Sequence, residues 1–276
     1  MIAISIRLLS PLAHGSFSDA SAGNMTLFRR EPIVGLPGNP RVPSVSGNSL
    51  RGILRRGVMR DVFARAGISR NAWMAEGRGR QWDRLYAALA NGGHLEKPDA
   101  SIDPVSFRQM RTNLPPLSVL GAAMYRWVLP GRTRFGWLWP VCSETVAAGL
   151  VEGGEEPLID AESLMSETSL VRHIEREQHD PEQSGVTPMP TTTETLSAGT
   201  LLRGRVDFDN GTSDVEKGVI AWGLGQITHL GGKGGAGFGM VRIEHDGDPA
   251  PYVAWLAQAT PGLGAVLTIL ADELAK

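Results

Sequence analysis

The chain has 276 residues, 42% of them hydrophobic, and a formal net charge of −2. That is ample for a sizeable core and, taken whole, argues against a uniformly basic nucleic-acid binder. Its single cysteine, Cys142, excludes an internal disulfide and a cysteine-ligated metal cluster, and no run of about 18 apolar residues reads as a membrane span.

The charge is unevenly spread. Twelve arginines and no lysine stand against four acids between Arg29 and Arg84, whereas twelve acids stand against two arginines between Glu144 and Ala198. Such asymmetry draws polyanions to one face, or lets one copy's acidic part meet another copy's basic part. A mosaic of solvated surfaces has the same composition.

Ile2, Ile4, Ile6 and Leu8 alternate with Ala3, Ser5 and Arg7, the period of a strand. This N-terminal stretch lacks a basic leader, a long apolar block and a small-residue cleavage site, so no signal peptide is read and a cytoplasmic location is expected. Residues 11–43 are rich in Gly, Pro, Ser and Asn, with a short hairpin expected around Met25–Gly35. In VPSVSGNSLRGILRRGVMRDVFARAG, Leu50, Ile53, Leu54, Val58 and Val62 fall at helical spacing. Ser46 or Asn48 suits the start of that helix and Gly67 its end. Arg51 and Arg55 are i,i+4 neighbours on one face, with Arg56 beside them.

Residues 69–122 read as a polar, partly helical insertion, clearest in RQWDRLYAALANGG. Residues 124–141 read as a hairpin turning at Pro130-Gly131. Residues 149–198 are acidic and then rich in Pro and Thr, the composition of an extended arm. GTLLRGRVDFDNG reads as a strand. Ser213 and Glu216 form a capping-box pattern ahead of a helix marked by Val215, Val219, Trp222 and Leu230. A glycine-rich loop, a strand in GMVRIEHDG and a short C-terminal helical tail follow.

Without its insertions the order is strand, helix, hairpin, strand, helix, strand. That is an α+β, split β-α-β scheme of ferredoxin-like or RRM-like type. The chain then divides into a first part of the core (1–68), the helical insertion (69–122), a core hairpin (123–148), the arm (149–198) and a second part of the core (199–276).

Two stretches carry chemistry. Gly231–Gly239 holds six glycines around Lys233, which leaves backbone N–H groups uncovered. A nucleotide-binding P-loop is excluded, because Lys233 precedes Gly234 rather than Ser or Thr and the loop runs from helix to strand. A dinucleotide fingerprint fails on the same order. The second stretch, PSVSGNSLRGILRR, places a Ser/Asn cluster and arginines at a helix N-terminus, an anion-favouring arrangement. The bland readings are a plain connection for the first and an ordinary capped basic helix for the second.

VPSVSGNSLRGILR paired with GGKGGAGFGMVRI resembles the RAMP superfamily of CRISPR-associated proteins, and MPTTTETLSAGTLLRGRVDF resembles the thumb hairpin and following strand of its backbone subunits, those of type IV in particular. The resemblance covers both ends and the middle of the chain, less so 69–122. It implies a non-catalytic subunit that polymerises along a CRISPR RNA, grips the sugar-phosphate backbone and presents bases for pairing with a target nucleic acid, beside other effector subunits. By motif match Asn48, Ser49, Arg51 and Arg55 would lie on the RNA backbone, opposite Gly231, Gly232, Lys233, Gly234, Gly235 and Phe238. Met189, Thr191, Thr192 and Thr193 would form the thumb tip. No cofactor, metal or membrane is expected.

Some relatives cleave target RNA with an aspartate in the loop before an Arg-Glu pair. Aligned on Arg30-Glu31, that position falls at or beside Met25, with Asp19 displaced, so no nuclease activity is expected. The alternative is an RNA-processing or RNA-cleaving RAMP endoribonuclease, for which His14 is the candidate. His14, His173, His179 and His229 with nearby acids are the other candidates for an active site, but His173 and His179, six apart, fit no zinc spacing, and no Gly-x-Ser-x-Gly element is present. A protein-only assembly role is the remaining rival.

Overall fold

A computed structural model describes residues 1–15, 25–96, 104–154, 157–170 and 191–275. Its strands are β1 (Ile2–Leu8), β2 (Met25–Thr26), β3 (Arg30–Pro32), β4 (Arg41–Pro43), β5 (Gly93–Leu95), β6 (Ala122–Tyr125), β7 (Val128–Leu129), β8 (Thr133–Phe135), β9 (Trp139–Pro140), β10 (Met165–Leu170), β11 (Thr191–Leu196), β12 (Leu201–Phe208) and β13 (Val241–His245). Its helices are α1 (Gly47–Arg65), α2 (Arg70–Ala75), α3 (Gly79–Asn91), α4 (Pro104–Asn113), α5 (Pro115–Leu120), α6 (Ser143–Ala147), α7 (Asp214–Gly225) and α8 (Ala250–Ala275).

The central sheet runs β13-β1-β12-β8, all antiparallel, with β9 continuing along β12. The last core strand lies beside the first and the first beside the third, the arrangement expected of a ferredoxin-like α+β core. Alternation in β1 turns Ile2, Ile4, Ile6 and Leu8 inward, opposite Val206 and Leu202 of β12. Helices α1 and α7 cover that inner face with Leu50, Leu54, Val58 and Val62 and with Val219, Ile220 and Leu224. They cross closely at Gly223, where a Cβ would stand 2.8 Å from the Leu54 side chain. The capping box at Ser213 and Glu216 is formed as expected.

Four local expectations change. The hairpin is not centred on Pro130-Gly131: β6 pairs with β7 across a turn at Tyr125-Arg126, while β8 and β9 pair with β12. Met25–Gly35 is not a self-contained hairpin, because β2 pairs with β11 and β3 with β4. Leu230 lies beyond α7, which ends at Gly225. The C-terminal tail is not short: α8 has 26 residues, continues through Pro261, and is long and apolar enough to cross a membrane by length and composition. Here its Leu256, Leu263, Leu267, Leu270 and Leu274 are buried, and it packs on α3 and α7.

The segment 69–122 contributes α2, α3, α4, α5 and strand β5, and α3 buries Trp82, Leu85 and Leu89 beside Phe63 of α1. The arm is a β10–β11 hairpin in register from Met165–Leu196 to Leu170–Thr191. Its connecting residues 171–190, Met189 included, lie outside the described residues.

Candidate nucleic-acid interface

Helix α1 begins where Ser46, in extended conformation, accepts a hydrogen bond from the Ser49 N–H at 3.3 Å. The two hydroxyls also meet at 3.0 Å, so the Ser49 side chain is part of the cap. Gly47 is required there, since a Cβ would fall 2.1 Å from the Phe135 carbonyl oxygen. Asn48 is exposed at this first turn.

The arginines of the next turn point elsewhere. Arg55 is buried and donates to the carbonyls of Gly121 at 2.6 Å and Leu120 at 2.7 Å. Arg51 donates to the same Leu120 oxygen at 2.5 Å. Helix α5 ends at Leu120, so the two guanidiniums cap carbonyls that lack intrahelical partners and meet the negative end of its dipole. Burial, with Arg51 alongside, pushes the Arg55 guanidinium down to about 10, and burial lowers Arg51 as well. The Arg51 Nε is buried without a partner among the described residues. A cavity of about 360 Å³ opens over Asn48, Arg51 and Arg55 towards Asn91 and Pro130.

The glycine loop is pinned at its base and open at its tip. Leu230 N–H donates to Gly239, Gly232 N–H to Ala13, and Gly239 N–H to Pro11. Gly231 and Gly239 have φ of +71° and +75°. A Cβ at those positions would meet the Ala13 oxygen at 2.3 Å and the Leu230 oxygen at 2.0 Å. Gly234 and Gly235 face open space among the described residues, and Phe238 is buried rather than displayed. Lys233 sits in the left-handed region, and its ammonium donates to the hydroxyl of Thr193 in β11.

The loop and the arm base are therefore one constellation. Thr193 is buried, Thr192 bonds Ser169 at 3.2 Å, and Thr191 is exposed. Glu194 accepts from the Phe28 N–H at 2.8 Å and pairs with Arg30 at 3.1 Å, while Arg30 also reaches Glu162 at 2.6 Å. Pro11, Ala13, Arg30 and Glu194 are site-building residues that sequence reasoning missed. Their bonds join positions far apart in the chain and leave no local signal.

The loop leads into β13 at one sheet edge, whereas α1 starts against β8 at the other. A ladder of backbone bonds still connects them. Gly232 donates to Ala13, Arg29 to His14, Ser44 to Arg29, and Val45 exchanges bonds with Leu138. Each bonded pair on this path spans about one strand spacing, about 4.8 Å.

His14 lies in this ladder, with its ring 6.0 Å from Phe28 and its Nε2 buried without a partner among the described residues. Burial, then the charge of Arg29, lowers its pKa below the usual 6.5. His229 is exposed and bonds Thr228 at 3.0 Å. Asp19, His173 and His179 lie outside the described residues, and no metal-binding cluster occurs among the described ones.

No family model and no curated relative matches the chain. Among solved structures, a chain of a "Type IV-B CRISPR Complex" is similar in fold, with a TM-score of 0.57 and 23% identity over 88% of this chain and 89% of that one.

Proposed function

We propose that this chain is a subunit of a type IV CRISPR ribonucleoprotein, a non-catalytic backbone subunit that grips guide RNA by its sugar-phosphate backbone. The observation that carries the reading is the shared fold with a chain of a type IV-B CRISPR complex across nearly the whole of both chains. Two local features support it. The open glycines at 234 and 235 let a polynucleotide backbone approach closely, and Lys233 joins that loop to the arm. Amides, hydroxyls and a point charge suit phosphate contacts made without sequence readout.

Along the ladder, Asn48 and the Arg51 edge of its cavity form one wall and Lys233 the other. Arg55 acts by holding α5 in place. Further copies of the chain extend the grip along one RNA, so few phosphate contacts per subunit suffice despite the net charge of −2. Exposed guide bases pair with the target nucleic acid, and other effector subunits complete the particle.

The reading predicts that Asn48→Asp combined with Lys233→Glu removes bound RNA while the monomer keeps its melting temperature. RNA retained by the double variant at moderate salt overturns the grip. The second reading, RNA cleavage, rests on the buried Nε2 of His14, which has no hydrogen-bond partner among the described residues. RNA cut by the wild-type chain and left intact by His14→Ala would favour it.

A further inference from the structure

The inner face of the central sheet is covered by helices, but Ala3, Arg7, Arg205, Arg242 and Glu244 on its outer face are exposed. Strand register fixes what lies together there. Arg7 stands opposite Arg242 and Leu201, Ala3 opposite Arg205, and Ser5 opposite Arg203. Arg203 in turn stands opposite Trp139 of β9. Side chains directly opposite in antiparallel strands share a face at about 5 Å between Cβ atoms. Four arginines and a tryptophan therefore line one surface, with small Ala3 and Ser5 in its floor and Glu244 opposite Ser5 as the acid among them.

Trp137 extends that surface, its ring 6.1 Å from Trp139 and tilted by 35°. The Arg29 guanidinium lies 4.6 Å over Trp137. Arg205 is paired with Asp207 at 3.1 Å. Arg7 donates to the Gly199 carbonyl at 3.1 Å, and the Nε of Arg203 is buried with no partner among the described residues. Where the face meets the base of the arm there is a cavity of about 500 Å³, with Arg7 and Arg203 on one side and Val141, Leu158, Ile159 and Leu164 on the other.

This combination selects an occupant. A volume of this order lies within the range of small-ligand sites, about 300–1,000 Å³. Two guanidiniums beside an apolar wall suit a planar ring carrying a phosphate. Tilted tryptophans next to arginines suit further rings in series, since every base offers a π-face. An acidic peptide satisfies the arginines but leaves the tryptophans unused. We propose that the outer sheet face is a second nucleic-acid surface, separate from the grip at Asn48 and Lys233. On it the cavity takes one nucleotide of a single strand, and Trp139 and Trp137 stack on the bases that follow.

The test uses the full chain and a fluorescein-labelled single-stranded uridine oligonucleotide, read by anisotropy and by quenching of tryptophan emission. Arg7→Glu with Arg203→Glu is expected to lower affinity about tenfold and to remove the quench, and Trp139→Ala to remove most of it. Lys233→Glu should lower affinity and leave the quench unchanged. Quenching and affinity within twofold of wild type in the double variant overturn the second surface while leaving the grip intact. Loss of all binding in the double variant with none in Lys233→Glu keeps the second surface and overturns the grip. Should the double variant melt early, wild-type chain photo-crosslinked to 5-bromouridine RNA decides. Adducts on Trp137 or Trp139 support the proposal, and adducts elsewhere only contradict it. A double variant that changes oligomeric state but not oligonucleotide binding marks a protein interface and also overturns it.

Discussion

The first turns of α1 and the glycine loop look like matching halves of one grip in sequence, yet the fold uses them in opposite ways. Arg51 and Arg55 turn inward to the carbonyls ending α5, while the loop keeps Gly234 and Gly235 in open space. Residue type announces charge and backbone freedom. It does not announce the direction in which they are spent, which depends on what packs a few ångströms away.

The largest expected effect breaks the α1 side. Arg55→Ala removes two buried charge-assisted hydrogen bonds and leaves the Leu120 carbonyl to Arg51 alone, at a cost of about 3–5 kcal/mol, whereas Arg56→Ala on the exposed side of the helix costs within about 0.5 kcal/mol. Urea unfolding of the two variants measures the contrast. Equal, small changes would mean that Arg55 faces solvent.

The glycine loop offers the same contrast within itself. Gly239→Ala places a Cβ against the Leu230 carbonyl at positive φ and costs about 2–3 kcal/mol. Gly235→Ala meets nothing within 4 Å among the described residues and leaves the melting temperature close to wild type. RNA affinity should respond the other way, falling for Gly235→Ala if a polynucleotide lies on the tip. Lys233→Glu sharpens this further. It removes one phosphate contact, so the slope of log affinity against log salt should flatten by about one.

A smaller effect is a pH dependence. Burial holds the folded pKa of His14 below the usual 6.5. As pH falls below that value the unfolded chain takes up a proton that the folded chain resists, so stability declines towards acid. His14→Gln should flatten that limb of a stability–pH curve. An unchanged limb would place the titration on another group.

The elements foreseen correctly were those whose signal is local. Period-two alternation in β1 needs only one buried face, and the caps at Ser46 and Ser213 are formed within three residues. The hairpin at Pro130-Gly131 failed because glycine served another purpose. A Cβ at Gly131 would stand 2.7 Å from the Leu120 carbonyl, and one at Gly121 would stand 2.3 Å from the Gly131 nitrogen. These glycines permit two backbones to touch, and a turn and a close approach look alike in sequence. In α8, Pro261 and Gly262 are helix-breaking types, but burial of Leu256 and Leu263 on either side carries the helix through. Of the candidate site, the loop and α1 were singled out by composition. Pro11, Ala13, Arg30 and Glu194, which hold them in one frame, were not, because tertiary hydrogen bonds have no spacing to read.

The central claim is that this chain lives on RNA. The chain should be purified with its native partners, treated with nuclease, and the protected nucleic acid extracted and sized. The account predicts protected RNA of discrete length in particles holding several copies of the chain. A nucleic-acid-free monomer, or protection of random fragments only, would contradict it.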